Sequence, residues 1–347
     1  MLPDSMKIVF FGTGVIGGSV GGWIAPHYPH LYFLDREPIS TALRTGGITL
    51  YQQETPAERQ RVSVRVIDDL AAVPDADVVV LGVKNYSLEG AARAIREKLG
   101  DRPVIFAMQN GAENQRILPH YFSKVIYCVV SYNAWMDEPV VIGYQKKGPL
   151  VIGTIHNELQ PEMAAIARVF NLGVETIVTP HLQDAVYTKM VINLTNSLTT
   201  LIGMGYREIG DRALFQKLLT NMTYEGIQIL RAAGFNECKL GGMPSWLVIR
   251  AGAKLPRLLT KPLFERNVKK MVLSSMAQDV LQRRGGTSEL ETLNGHLLHL
   301  ADRHGLAVPY NRAVYELCRE EFSRPDFQPL EVKEVWLAVK KQLAARR

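Results

Sequence analysis

The first half of the chain alternates short apolar runs with stretches of helical spacing. Ile8 to Phe11, Leu31 to Leu34, Val78 to Val83 and Val104 to Met108 are continuous β-branched or aromatic runs, the pattern of strands covered on both faces in a parallel sheet. Between the last two, Leu88 to Leu99 has the spacing of an amphipathic helix. Ile126 to Ser131, Val140 to Tyr144 and Leu150 to Gly153 read as further strands, some of them antiparallel because their connections are short. After Pro180 the texture changes: helical periodicity runs to the end, broken at Gly203 to Gly205, Gly241-Gly242 and Gly285-Gly286, with no internal repeat. The pattern predicts an α/β chain, a doubly wound domain over 1–181 followed by an all-helical domain over 182–347.

The first strand runs into a glycine turn. Gly12, Gly14 and Gly17 have G-x-G-x-x-G spacing and open a helix, the arrangement of a Rossmann-type dinucleotide site. Gly12 permits the tight turn, Gly14 lets the backbone approach a pyrophosphate, and Gly17 lets the helix sit close to the sheet. The amides of that helix N-terminus carry the partial positive charge that attracts phosphate. The second run ends in Asp35, where a carboxylate would bond the ribose hydroxyls. Ligands of such sheets bind beyond the carboxyl ends of the strands, so Lys84 and Asn110, which follow the third and fourth runs, fall on the same edge.

Composition narrows the field. Of 347 residues 47% are apolar, ordinary for a globular protein with a sizeable core, and the length allows two domains. The formal charge of +6 is spread without a long basic run, so nucleic acid is not implied. The one local cluster, Lys254, Arg257, Lys261, Arg266, Lys269 and Lys270, reads as a solvated helix face. Cys128, Cys238 and Cys318 are too scattered for a disulfide framework or a zinc site, which fits a cytoplasmic setting. The apolar run after Lys7 could imitate a signal peptide but is better used as strand, turn and helix. No segment of about 18 uninterrupted apolar residues predicts a membrane span.

In the helix predicted from Leu182 to Leu201, Lys189, Asn193, Asn196 and Thr200 form one polar stripe flanked by Met190, Val191, Leu194 and Leu198. One lysine among neutral amides and hydroxyls suits a cleft; an exposed lysine beside polar core-edge residues gives the same spacing. Further on, Ser288 and Glu291 have capping-box spacing, which leaves Glu289 either to complement the helix dipole or to accept a hydrogen bond in a cleft. His296, His299 and His304 lack metal-ligand spacing and read as surface residues; no metal is expected. A dinucleotide domain followed by a cleft lysine points to hydride transfer to a carbonyl, with the ammonium stabilising and protonating the developing oxyanion.

The chain resembles the ketopantoate reductase (2-dehydropantoate 2-reductase) family over nearly its full length. The matching pieces, in order, are GTGVIG at 12–17, VK at 83–84, QNG at 109–111, YTKMVIN at 187–193, SSMAQD at 274–279, SELETLNG at 288–295 and HGLAVP at 304–309. The resemblance implies a reductase of the CH-OH class with NADP as cofactor. Gly12, Thr13, Gly14, Val15, Ile16 and Gly17 would hold its phosphates, and Lys84, Asn110, Ala134 and Glu289 would contact it. It implies Lys189 as general acid, with Glu289 also catalytic and facing the substrate, and a substrate site of Asn110, Lys189, Asn193, Ser197 and Ser275.

Two positions depart from the family's best-studied pattern. Ser197 stands where a second asparagine is found one turn after Asn193, unless Asn196 substitutes, and Val272 replaces another asparagine. Both changes point toward a different 2-oxo acid. The segment between Gly241 and Lys270 is also longer, which could reshape the pocket or an interface. In the cofactor site Arg36 fits the 2′-phosphate of NADP, while Asp35 would favour NAD. The expectation is an NAD(P)H-dependent 2-oxo acid reductase, with ketopantoate reduction in pantothenate synthesis first, another 2-oxo acid or a non-catalytic nucleotide sensor as alternatives, and a homodimer as a possible assembly. A related β-hydroxyacid dehydrogenase is opposed by the SSMAQD and SELETLNG segments.

Overall fold

The structure, a computed structural model, describes residues 2, 5–240, 244–269, 271, 274–282 and 288–345. The chain divides into two compact units, Met1–Val186 and Tyr187–Arg347.

The first unit contains β1 (Ile8–Phe11), α1 (Val15–Ile24), β2 (Leu31–Leu34), α2 (Ile39–Gly46), β3 (Ile48–Gln52), β4 (Gln60–Val62), β5 (Val78–Leu81), α3 (Leu88–Leu99), β6 (Val104–Ala107) and α4 (Glu113–Ile117). They are followed by β7 (Val125–Val130), β8 (Ala134–Glu138), β9 (Val141–Tyr144), β10 (Leu150–Gly153), α5 (Gln160–Phe170) and β11 (Thr176–Val178). Seven strands form one sheet in the order β11-β10-β7-β6-β5-β1-β2. The pairs among β2, β1, β5, β6 and β7 are parallel, and β10 returns antiparallel to β7. Ile8, Phe10, Val78, Val80, Val104 and Phe106 face a core shared with Trp23 and Ile24 of α1 and Ile166 and Phe170 of α5. Their neighbours Val9, Val79 and Ile105 are equally buried on the opposite face, so these strands read as unbroken apolar runs.

The sequence pattern did not reveal a second sheet, of order β4-β3-β9-β8, and the run expected as Val140 to Tyr144 belongs to it. Strand β9 starts at Val141 because Val140 takes a positive φ of 60°. The short β4 pairs with β3 through exposed Gln60 and Arg61, residues that give little strand signal. Helix α1 packs between the two sheets: a Cβ on Gly21 would strike Phe33 of the large sheet, and one on Gly18 would strike Ile142 of the small one. The glycine-rich face of GGSVGG thus permits close packing on both sides.

The boundary between the units falls inside α6 (Leu182–Leu201). The second unit continues with α7 (Arg212–Ala232), α8 (Trp246–Lys254), α9 (Arg257–Val268), a single turn α10 (Ser275–Ala277), α11 (His296–Arg303), α12 (Pro309–Phe322) and α13 (Val332–Ala344). Its core joins Leu198 and Leu201 to Phe215, Leu218, Val314, Cys318, Val335 and Val339. The carboxylate of buried Glu225 accepts from the backbone N–H groups of Tyr310 and Asn311 and from Asn311 Nδ2, satisfying amides at the start of α12 from another helix. No local sequence signal announces such a cap.

Candidate active site

In the first unit, the register Phe11 to Leu81 to Ala107 aligns the ends of β1, β5 and β6. The glycine turn, Gly82 to Lys84 and Met108 to Asn110 therefore leave the sheet side by side. Chain order reverses at β1, which has β2 on one side and β5 on the other, the switch point where open α/β sheets bind ligands.

The glycines divide by role. Gly12 has a φ of +95°, which side chains rarely adopt. A Cβ on Gly17 would overlap the Gly12 carbonyl oxygen, and so would one on Gly82, a residue the sequence reading did not single out. Strand β5 ends at Leu81, two residues short of the expected Val83. Gly14 differs from all of these, because a Cβ there would have no protein atom within 4 Å. It is the N-cap of α1, and no side chain caps that helix.

Asp35 Oδ2 accepts from the Thr13 N–H and Oδ1 from the Arg36 N–H, so the carboxylate ties the end of β2 to the glycine turn. Arg36 is exposed. Gln109 Nε2 donates to the carbonyls of Leu81 (2.8 Å) and Val83 (3.0 Å), and Asn85 Nδ2 donates to that of Asn110 (2.9 Å). These two amides, which sequence reasoning missed, hold the segments bearing Lys84 and Asn110. Around the same edge Thr13 Oγ1, Asn85 Oδ1 and Gln109 Oε1 are buried without a hydrogen-bond partner. Ala134 opens β8, the strand that packs beside α1.

In the second unit, α6 displays the predicted stripe. Lys189 is partly buried, and the protein around its ammonium lowers its pKa from 10.5 to about 8 by desolvation. Asn193 is buried, and its Oδ1 accepts from Asn196 Nδ2 at 3.5 Å. Thr200 Oγ1 lies 3.2 Å from Ser274 Oγ, which in turn accepts from Ala277 N–H. That contact fixes Ser275 near the far end of the stripe. Ser197 is placed differently: its side chain is fully buried, donates to the Leu194 carbonyl and accepts from Asn294 Nδ2. Asn196 therefore shares the face of Lys189 and Asn193, and Ser197 serves the helix packing.

Glu289 is buried, 6% exposed. The expected capping box does not form, because Ser288 Oγ accepts from Leu290 N–H at 3.4 Å and the Glu291 carboxylate accepts from Tyr315 Oη at 2.6 Å. A π-helical turn, Glu291–Gly295, precedes α11. His299 and His304 are exposed as expected, but His296 is partly buried and pairs through Nε2 with Tyr187 Oη at 3.1 Å. Spacing alone could not show that partner, 109 residues away. Val272 lies outside the described residues. Among the described residues no group of three or more His, Cys, Asp or Glu is placed to hold a metal, and no helix is long and apolar enough to cross a membrane.

A glycine turn opening an uncapped helix at a sheet switch point and a lysine of lowered pKa in a helical unit fit a nicotinamide-dependent oxidoreductase acting on CH-OH groups. Sequence comparison narrows the class. Residues 8–157 match the profile described as "Ketopantoate reductase PanE/ApbA", and residues 181–321 match that described as "Ketopantoate reductase PanE/ApbA C terminal". The chain belongs to the ketopantoate reductase family. A 2-dehydropantoate 2-reductase of Halobacterium salinarum is 28% identical over 319 residues, 90% of this chain and 98% of that protein. Among solved structures, a PanE/ApbA family ketopantoate reductase from Ralstonia eutropha superposes with a TM-score of 0.71 at 24% identity, covering 97% of this chain and 100% of the other. A D-mandelate dehydrogenase solved with NADH and anilino(oxo)acetate gives 0.75 at 15% identity, covering 93% and 100%. At these identities the structural likenesses bear on the fold.

Proposed function

We propose that this protein reduces a 2-oxo acid with NADPH, ketopantoate to pantoate being the first reaction to test. The observation carrying the reading is the Lys189 stripe, in which an ammonium of lowered pKa shares one helix face with the neutral amides of Asn193 and Asn196.

The residues at the sheet edge fit a dinucleotide. Gly14 leaves room that a β-carbon would fill, α1 begins without a side-chain cap, and three buried oxygens lack partners. In this reading residues 12–17 hold the pyrophosphate, and Lys84, Asn110 and Ala134 receive the nicotinamide end. When bound, a reduced nicotinamide supplies a hydride to the ketone carbon. Lys189 supplies the other half of the reaction: an ammonium with a pKa of about 8 is mostly protonated at neutral pH, yet acidic enough to pass its proton to the nascent alkoxide. Asn193, Asn196 and Ser275 offer neutral hydrogen-bonding groups to the substrate, and the Glu289 carboxylate offers an acceptor. None of them brings a cation that would compete with Lys189 for the developing charge.

For the cofactor form, both oxygens of Asp35 already accept backbone N–H groups, which spreads its charge over the turn, while Arg36 stands exposed beside it. This favours NADP. Replacing Arg36 with serine is expected to weaken NADPH binding at least tenfold and to leave NADH binding within about twofold, the usual scale of one lost charge-assisted phosphate contact. Fluorescence titration of the reduced cofactors reads this directly; equal weakening of both would assign the 2′-phosphate to another residue.

The burial of Ser197 supports a second reading within the same chemistry. With its hydroxyl committed to Leu194 and Asn294, α6 offers one fewer polar group to a substrate side chain. A 2-oxo acid with a less polar side chain than ketopantoate would then have the higher kcat/KM in a substrate panel. Tight NADPH binding with no reduction of any 2-oxo acid would instead indicate a nucleotide-sensing protein.

A further inference from the structure

The described cations of the basic cluster are exposed, as expected of a solvated helix face, but exposed leucines lie among them; Lys270 of that cluster lies outside the described residues. Over residues 244–269 the chain carries the six cations Arg250, Lys254, Arg257, Lys261, Arg266 and Lys269 against the single acid Glu265, nearly the whole +6 excess of the protein. Glu265 is itself paired with Arg212. The same stretch exposes five leucines: Leu247 (72%), Leu255 (51%), Leu258 (84%), Leu259 (67%) and Leu263 (47%).

Helix α9 shows how this arises. Phe264 is its buried residue and Thr260, Glu265 and Val268 are half-buried, so one side packs on the unit. The opposite side presents Leu258, Leu259, Pro262 and Leu263 together with Arg266 and Lys269. A surface helix normally turns its leucines inward and its charges outward. Here leucines and cations share the outward face, and Leu255 and Leu247 extend the patch toward and along α8.

We propose that the outward face of α8 and α9 is a docking surface for an anionic lipid surface, on which the leucines enter the headgroup–acyl boundary and the cations meet phosphate groups. The charge identifies the counterpart as anionic: Arg266 and Lys269 share the outward face of α9 with its leucines, and a second copy docking through that face would bring like charges together. The apolar residues distinguish a lipid from an acidic protein. Protein interfaces concentrate their energy in Trp, Tyr and Arg, whereas the two aromatics of this stretch, Trp246 and Phe264, are turned into the core and only aliphatic side chains face outward. Leucine with Lys and Arg on short helices is the composition of a peripheral, in-plane contact. At about 1.5 Å rise per residue neither helix could span a bilayer. The inference stands apart from the substrate reading, since none of these residues belongs to the proposed active site.

Sedimentation of the full-length protein with vesicles tests it. Binding to vesicles of phosphatidylcholine with one third phosphatidylglycerol should exceed binding to phosphatidylcholine alone at least tenfold, and should be largely lost at about 0.5 M salt, where the Debye length falls to a few ångströms. The double variant Leu258→Glu, Leu259→Glu should bind at least tenfold more weakly while keeping its thermal transition and its NADPH affinity. Should glutamate disturb the fold, Leu258→Ser with Leu259→Ser at the same exposed positions carries the same expectation. Failure to bind the anionic vesicles overturns the proposal, and so does equal binding by wild type and leucine variant, which would mean general adsorption of a basic protein. Self-association in light scattering that the leucine variants abolish, without vesicle binding, would assign the face to a second copy.

Discussion

Replacing Gly17 with alanine is expected to destabilise the protein by about 2 kcal/mol or more and to abolish nucleotide binding. The new β-carbon would overlap the Gly12 carbonyl oxygen, and a backbone atom in a tight turn has no cheap way to move. The Gly14→Ala variant is expected to separate the two effects. Gly14 has a φ of −66°, which alanine adopts readily, and its β-carbon would touch no protein atom, so stability should change by less than about 0.5 kcal/mol. Its NADPH dissociation constant should nonetheless rise about a hundredfold, since the methyl group would occupy the space through which the backbone amides reach the pyrophosphate. Thermal unfolding and fluorescence titration of both variants check the pair. Unimpaired NADPH binding by Gly14→Ala would remove the turn from the cofactor site, and an undiminished thermal transition in Gly17→Ala would show that the turn can relax.

Lys189→Met is expected to do opposite things to activity and stability. Loss of the proposed proton donor should lower kcat by about a thousandfold, within the range of general acid catalysis. Loss of a desolvated ammonium should raise stability at neutral pH by about 1–2 kcal/mol, less than the full shift implies because the lysine keeps some exposure. The folded-state pKa of about 8 lies below the unfolded value of 10.5. Between those values the unfolded chain binds more protons, so the stability of the wild type rises with pH across that window. Below about pH 8 the burden of the buried charge is fully present. The advantage of the methionine variant should therefore be largest at pH 7 and shrink toward pH 10.5. Denaturant unfolding at several pH values measures it; a variant less stable than wild type at pH 7 would mean that the ammonium is held by favourable contacts.

The parts of the fold legible in the sequence were those whose signal is local. The β1-turn-α1 unit, β2, α3 and β10 could be read directly, because a buried parallel strand is a continuous apolar run and an amphipathic helix repeats every turn. The second sheet escaped because β4 is polar and exposed and β8 carries Asp137 and Glu138, neither of which alternates like a half-buried strand. At the site, Lys189 and its asparagines were visible as a stripe, since four residues on one helix need only the helical period to come together. The clamps of Gln109 and Asn85, the commitment of Ser197 to Asn294 and the pairing of His296 with Tyr187 were not visible. Each joins residues more than 20 positions apart, so tertiary packing and not spacing decides it. The capping box failed for the same reason: Glu291 found Tyr315, 24 residues on, in preference to the start of its own helix.

The most direct test of the central claim is the initial rate of NADPH oxidation with ketopantoate, followed across pH 6 to 10 for the wild type and for Lys189→Ala. The account predicts turnover by the wild type, with kcat/KM flat at low pH and falling tenfold per pH unit above about 8, as the ammonium that donates the proton is lost. In Lys189→Ala that limb should be absent and the remaining rate about a thousandfold lower, with NADPH binding unchanged. Turnover that survives the substitution with the same pH profile would contradict the assignment of Lys189 and the mechanism built on it.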